Sequence, residues 1–197
     1  MNKSIEVQIF DYLSQHLSPK RFEHSYNVAM FAVELALKNN INLLKAQIAG
    51  LLHDCAKAMA GEELVAFFKG RKTFKCFKDI VKFAPHLLHS FAGEIIVKEE
   101  FKIRDKDILN AVRYHTLGRE NMSVIEKIIF VADSVSHERK WKHASRVRNL
   151  SKNDLDKAFF EVLKTKIEYV INSGNWLCPQ TIDTWNWYVS NYREKDN

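Results

Sequence analysis

Residues 42–57 read NLLKAQIAGLLHDCAK, and this stretch decides the fold class. Asn42 is a short polar residue of the kind that caps a helix start. From Leu43 onward the segment is apolar nearly all round, through Ile48, Ala49, Leu51 and Leu52. A helix with no broad solvent face belongs in the middle of a bundle. The spacing predicts that it runs to about Lys57, which carries His53 and Asp54 into the interior. A buried carboxylate is costly unless it is paired, and a shared cation removes that cost.

The neighbouring segments follow the same pattern. Ser18-Pro19 reads as an N-cap followed by proline at the first helical position. The helix expected over 19–38 aligns Arg21, His24, Val28, Phe31 and Leu35 at 3.6-residue spacing. Residues 61–82 look helical but loosely patterned, and Pro85 interrupts them. A helix over about 87–100 puts His89, Ala92, Gly93 and Ile96 on one face. Asp105 caps another, with Ile108, Ala111, Val112 and His115 aligned. Ser123 to Glu126 matches a capping box, so a helix begins near 123 and buries Ile125, Ile128, Ile129, Ala132 and Asp133. A long amphipathic helix is expected over 153–172 and a short aromatic one over 181–191. No stretch alternates as a strand, so the expectation is an all-α helical bundle. No linker or repeat divides the chain, and residues 1–197 read as one domain.

Composition narrows the class. Hydrophobic residues make up 46% and charged residues 27%, a globular balance that excludes disorder. The longest apolar runs fall well short of the ~18 residues that a membrane span needs. The first residues, MNKSIEVQIFDYL, alternate polar and apolar and lack the apolar core of a signal peptide. Cys55, Cys76 and Cys178 are odd in number and share no metal-type spacing. Together these predict a cytoplasmic protein with no membrane partner. The net charge of +6 suits a polyanion, either nucleic acid or a phosphate-rich small molecule. No RNA-binding motif or zinc knuckle supports nucleic acid, and the lysines are scattered rather than gathered into a tail.

One constellation carries chemistry. His24, His53, Asp54, His89, His115 and Asp133 all lie on or beside the apolar stripes of five separate helices. The dipeptide His53-Asp54 says little alone, and a single inward histidine is ordinarily a hydrogen-bonded core residue. Imidazoles and carboxylates converging from different helices are another matter: they suit iron, manganese, zinc or cobalt. Lys57 follows Asp54 by three residues and His53 by four, over the same face. Arg21 stands one turn before His24. Cations beside a metal site suit a phosphate-bearing substrate, although a surface salt bridge explains either residue as well.

The ordered set His24, His53-Asp54, His89, His115 and Asp133 resembles the HD superfamily of metal phosphohydrolases. The words RFEHS (21–25), AGLLHDCAK (49–57), HSFAGE (89–94), AVRYHTLGRENMSVIEKIIFVAD (111–133) and TIDTWN (181–186) are similar to its YqeK branch, the symmetrical bis(5'-nucleosyl)-tetraphosphatases. The resemblance implies an HD-domain bundle with two metal ions, iron first, with manganese, cobalt or zinc as alternatives. His24, His53, Asp54 and Asp133 would hold one ion, and Asp54 would bridge to a second completed by His89 and His115. The implied reaction splits diadenosine tetraphosphate into two ADP through a hydroxide activated by the two ions. Asp54 and Lys57 would be catalytic, and Arg21, Lys57, Thr116, Ser134 and Arg139 would contact substrate, with Arg148 as a further candidate.

Two features depart from the family pattern. Ser136-His137 replaces an acidic-Pro pair ahead of the retained Arg139, and Glu94 stands where a small residue is expected. Two other readings stay open. One is a different HD enzyme, acting on nucleoside mono- or triphosphates or cyclic dinucleotides. The other is a basic RNA- or ribosome-binding protein. Trp176, Trp185 and Trp187 either close the core or form a homodimer interface.

Overall fold

The computed structural model describes residues 3–192. It contains helices α1 (Ile5–His16), α2 (Pro19–Lys38), α3 (Leu43–Leu52), α4 (Gly61–Phe67), α5 (Phe77–Phe83), α6 (Leu88–Glu99), α7 (Lys106–Tyr114), α8 (Val124–Val135), α9 (Ala144–Ser151), α10 (Leu155–Asn172) and α11 (Pro179–Tyr192). A 3-10 turn, Pro85–Leu87, leads into α6. No strand occurs among the described residues, so the fold is all-α.

Local chemistry starts most of these helices. Asn42 accepts the N–H of Lys45 at 3.0 Å, Asp105 accepts those of Asp107 and Ile108, and Asp154 accepts that of Lys157 at 2.9 Å. Each satisfies donors that a helix start leaves unpaired. The capping box at Ser123 is only half made. Ser123 Oγ accepts the Glu126 N–H at 3.5 Å, but the Glu126 carboxylate is gripped by Arg119 through two 2.8 Å bonds instead. A guanidinium fork is the stronger partner for a buried carboxylate.

The helices α3 and α8 occupy the centre. In α8 the run Ile128, Ile129, Phe130, Val131 and Ala132 is entirely buried, more than the one-sided face expected for it. It packs against α2, α3, α7 and α10. The end of α3 comes sooner than the spacing predicts, at Leu52 rather than Lys57. Beyond it the backbone tightens to three-residue bonds, from Cys55 N–H to the Leu52 carbonyl and from Lys57 N–H to the Asp54 carbonyl. The segment expected over 61–82 divides into α4 and α5, separated by a loop whose Phe74 stacks on Phe91 at 3.7 Å. Two helices went unread in the sequence. In α1, Ile9 and Leu13 are the buried i, i+4 pair. In α9 the buried residues are Ala144, Val147 and Ser151. The C-terminal tryptophans pack onto the core, with Trp185 stacked on Phe160 at 4.6 Å and Trp176 on Phe83 at 5.5 Å.

Candidate metal centre

Three of the expected histidines use the same device. His53 Nδ1 donates to the Gly50 carbonyl at 2.7 Å, His89 Nδ1 to the His86 carbonyl at 2.6 Å, and His115 Nδ1 to the Val112 carbonyl at 2.7 Å. His53 and His115 cap the C-terminal ends of α3 and α7, where carbonyls lack an intrahelical donor. His89 takes a carbonyl of the 3-10 turn. The ring satisfies the backbone, and the backbone fixes the tautomer. Each Nε2 is left with a lone pair facing inward, the state that binds a metal. His24 lies inside α2, and its Nδ1 instead meets Glu138 Oε1 at 2.5 Å.

The inward atoms converge. Asp54 Oδ1 is 3.3 Å from Nε2 of both His89 and His115, and Asp54 Oδ2 is 3.7 Å from His53 Nε2. Asp133 Oδ1 is 3.1 Å from His24 Nε2 and 3.8 Å from His53 Nε2. Ligand atoms of His24, His53 and Asp54 lie within 4.8 Å of one another, as do those of Asp54, His89 and His115. Asp54 is common to both groups. His53 Nε2 and Asp54 Oδ1 are buried with no hydrogen-bond partner. Lone pairs on nitrogen thus face lone pairs on carboxylate oxygen in a buried setting, and a cation between them resolves the conflict. The donor set fits divalent metal.

Electrostatics agree. Burial pushes His53 and His89 down to about 4, so both rings are neutral ligands at pH 7. Burial alone would raise Asp133, but the Lys166 ammonium and His24 outweigh it and hold the carboxyl well below its ordinary range. Lys166, on α10, lies 3.5 Å from Asp133 Oδ2 and donates to the His115 carbonyl at 3.3 Å. Sequence reasoning assigned α10 only an amphipathic role. The signal for Lys166 is absent from local pattern, because a lysine on a helix ordinarily faces solvent.

Of the expected substrate residues, four line one cleft of about 520 Å³: Lys57, Thr116, Ser134 and Arg139. Lys57 Nζ is 3.0 Å from His89 Nε2 and 3.6 Å from Asp54 Oδ1. Thr116 Oγ1 is 3.2 Å from His89 Nε2, and Arg139 donates to Asp133 Oδ1 at 2.9 Å. Ser134 Oγ donates to the Phe130 carbonyl at 3.3 Å. Arg21 is not brought in: it is exposed at the start of α2 and does not line the cleft. Arg148 is occupied elsewhere, holding the Val135 carbonyl at 2.5 Å and the Ser136 carbonyl at 2.9 Å. His86, set aside in the sequence, does line the cleft. The remaining lining is largely apolar and includes Leu117, Trp141, Val162, Tyr169 and Trp176. Glu94, unaccounted for in the sequence, pairs with Arg113 of α7.

The HD domain family matches residues 21–138, the span that carries all six inward donors. A symmetrical bis(5'-nucleosyl)-tetraphosphatase of Halalkalibacterium halodurans is 33% identical over 186 residues, covering 94% of this chain and 96% of the relative. One from Bacillus subtilis is 34% identical over 178 residues, covering 90% and 94%. A crystal structure from Clostridium acetobutylicum, described as a predicted HD superfamily hydrolase involved in NAD metabolism, is 38% identical with a TM-score of 0.88 over 94% of this chain and 97% of that one. The chain therefore belongs to the HD domain family, in the branch of the symmetrical bis(5'-nucleosyl)-tetraphosphatases.

Proposed function

We propose that this protein hydrolyses dinucleoside polyphosphates, cutting diadenosine tetraphosphate symmetrically into two ADP at a two-metal centre. The observation that carries this reading is Asp54, shared between two three-donor groups at the edge of a cleft that is cationic on one part and apolar on the rest. The names of the relatives support the substrate. His24, His53, Asp54 and Asp133 are the donors for one ion, and Asp54, His89 and His115 for the other. Iron is the first candidate, with manganese, cobalt and zinc also suited to these donors. Bound cations supply Lewis acidity toward phosphate oxygens and lower the pKa of water.

The chain's own groups do the rest. Lys57 and Arg139 offer charged donors to the phosphates, and Thr116 offers a hydroxyl. Trp141 and Trp176 present aromatic surface for a base. His53 and His89 remain neutral, so the charged hydrogen-bond donors at the cleft are the Lys57 ammonium and the Arg139 guanidinium.

The test is metal analysis of the purified protein, followed by product identification across a panel of nucleotides. Metal in the preparation and ADP as the sole product from diadenosine tetraphosphate are expected. AMP with ATP, or orthophosphate released from mononucleotides in preference, would overturn the substrate assignment. RNA binding that survives metal removal, without turnover, would overturn the enzymatic reading altogether.

A further inference from the structure

His24 differs from the other histidines of the centre in how its ring is held. It sits in the interior of α2, where upstream carbonyls already accept helical N–H groups. A backbone partner of the kind that His53, His89 and His115 use is therefore not on offer. The partner comes from the loop after α8: Glu138 Oε1, at 2.5 Å from Nδ1. Ser136 Oγ, fully buried, donates to the same oxygen at 2.8 Å. Arg148 anchors this loop through the Val135, Ser136 and Arg139 carbonyls. The other carboxylate oxygen of Glu138 is buried and has no hydrogen-bond partner. A side chain in this setting is spent on His24.

We infer that Glu138 is the positioning residue for His24, holding the proton on Nδ1 so that Nε2 offers its lone pair to the ion shared with His53 and Asp54. This rests on the two-ion reading given above. A carboxylate acceptor raises the donor strength of an imidazole more than a neutral carbonyl does. The two halves of the centre are thus unequal. On the half built on His24 that ring is held by a charged side chain from a loop, and on the other half the rings of His89 and His115 are held at Nδ1 by backbone carbonyls. Ser136, which replaces the acidic residue expected at its position, supports the carboxylate two residues on.

Titration of the metal-free full-length chain with Co2+, followed by visible absorption and checked against a competing chelator, tests the inference. Glu138→Ala is expected to weaken one of two Co2+ sites by about 10–100-fold and leave the other unchanged. Glu138→Gln, which keeps an acceptor oxygen without the charge, is expected to recover part of that loss. Equal Co2+ affinity in wild type and Glu138→Ala, with metal-free melting temperatures that match, overturns it. If Glu138→Ala does not fold, the near-isosteric Glu138→Gln decides: unchanged affinity at both sites overturns the inference. Should the wild type bind one Co2+ only, the two-ion reading fails. Weaker binding by Glu138→Ala at that one ion would still support the role of Glu138, and equal binding would overturn it.

Discussion

Gly50 of α3 presses so closely on Ala29 of α2 that a Cβ on Gly50 would lie 2.6 Å from the Ala29 Cα and 2.9 Å from its nitrogen. The two backbones touch here, and the contact sets how near His24 and His53 can come, with ring centres 5.2 Å apart. Gly50 also supplies the carbonyl that orients His53. The atoms in the way are backbone, so nothing can rotate aside. Gly50→Ala should cost about 1–3 kcal/mol in urea denaturation. It should also weaken metal binding, because the two helices must part. Full metal affinity in a destabilised Gly50→Ala protein would show that the contact serves packing alone.

Asp54 is the donor common to both groups, and the two predicted losses differ accordingly. Asp54→Ala should lose both ions together with turnover, while His89→Ala should lose one. Ligands that bind only the native state raise stability by about 2.7 kcal/mol at a concentration of 100 times Kd. Added Co2+ should therefore raise the melting temperature of the wild type and leave that of Asp54→Ala unmoved. Normal metal content and activity in Asp54→Ala would dismiss the metal-centred chemistry.

Glu126 is 1% exposed, and Arg119 supplies its two 2.8 Å bonds. Arg119→Met would leave that carboxylate buried and largely unpaired, with only the Ser123 hydroxyl at 3.1 Å. The expected cost is about 3 kcal/mol, at the low end for a broken buried pair because Arg119 itself is partly exposed. The double variant Arg119→Met/Glu126→Gln should recover much of the loss, since no charge is then buried. A chemical-denaturation cycle over the four proteins measures this directly.

Asp105 caps α7 and pairs with Lys45 at 2.8 Å. Burial would raise its carboxyl, but Lys45 and the N–H groups of Ile108 and Asp107 prevail, and its pKa is lowered. The sign follows from that direction. The charged form is favoured in the folded state, so its stabilising effect is complete above the unfolded value of about 3.9 and is lost as pH falls through the lower folded value. Asp105→Asn keeps a capping oxygen without the charge. Its stability should therefore fall less than that of the wild type between about pH 5 and 3. The difference should shrink in high salt, because the pair is exposed enough to be screened.

Much of the fold was legible because it rests on local chemistry. Caps such as Asn42, Asp105 and Ser123 act within a few residues, and the apolar stripes that follow them have a fixed period. The inward placement of His24, His53, Asp54, His89, His115 and Asp133 follows from those stripes. What the period could not convey is contact. The early end of α3 comes with such a contact, the His53 ring taking the Gly50 carbonyl. Arg21 shares a stripe with His24 yet stays exposed and does not line the cleft, while its neighbour Phe22 is the residue of that turn that packs, against Phe10. Glu138 and Lys166 carry charges that read as surface, and only the loop held by Arg148 and the packing of α10 on α8 turn them inward. By itself, then, the sequence determined an all-helical chain whose histidines and aspartates point to its centre, since periodicity is a property of the backbone. Which of those donors share an ion, and which outer residues hold them, was decided by tertiary structure, because it depends on distances between segments far apart in the chain.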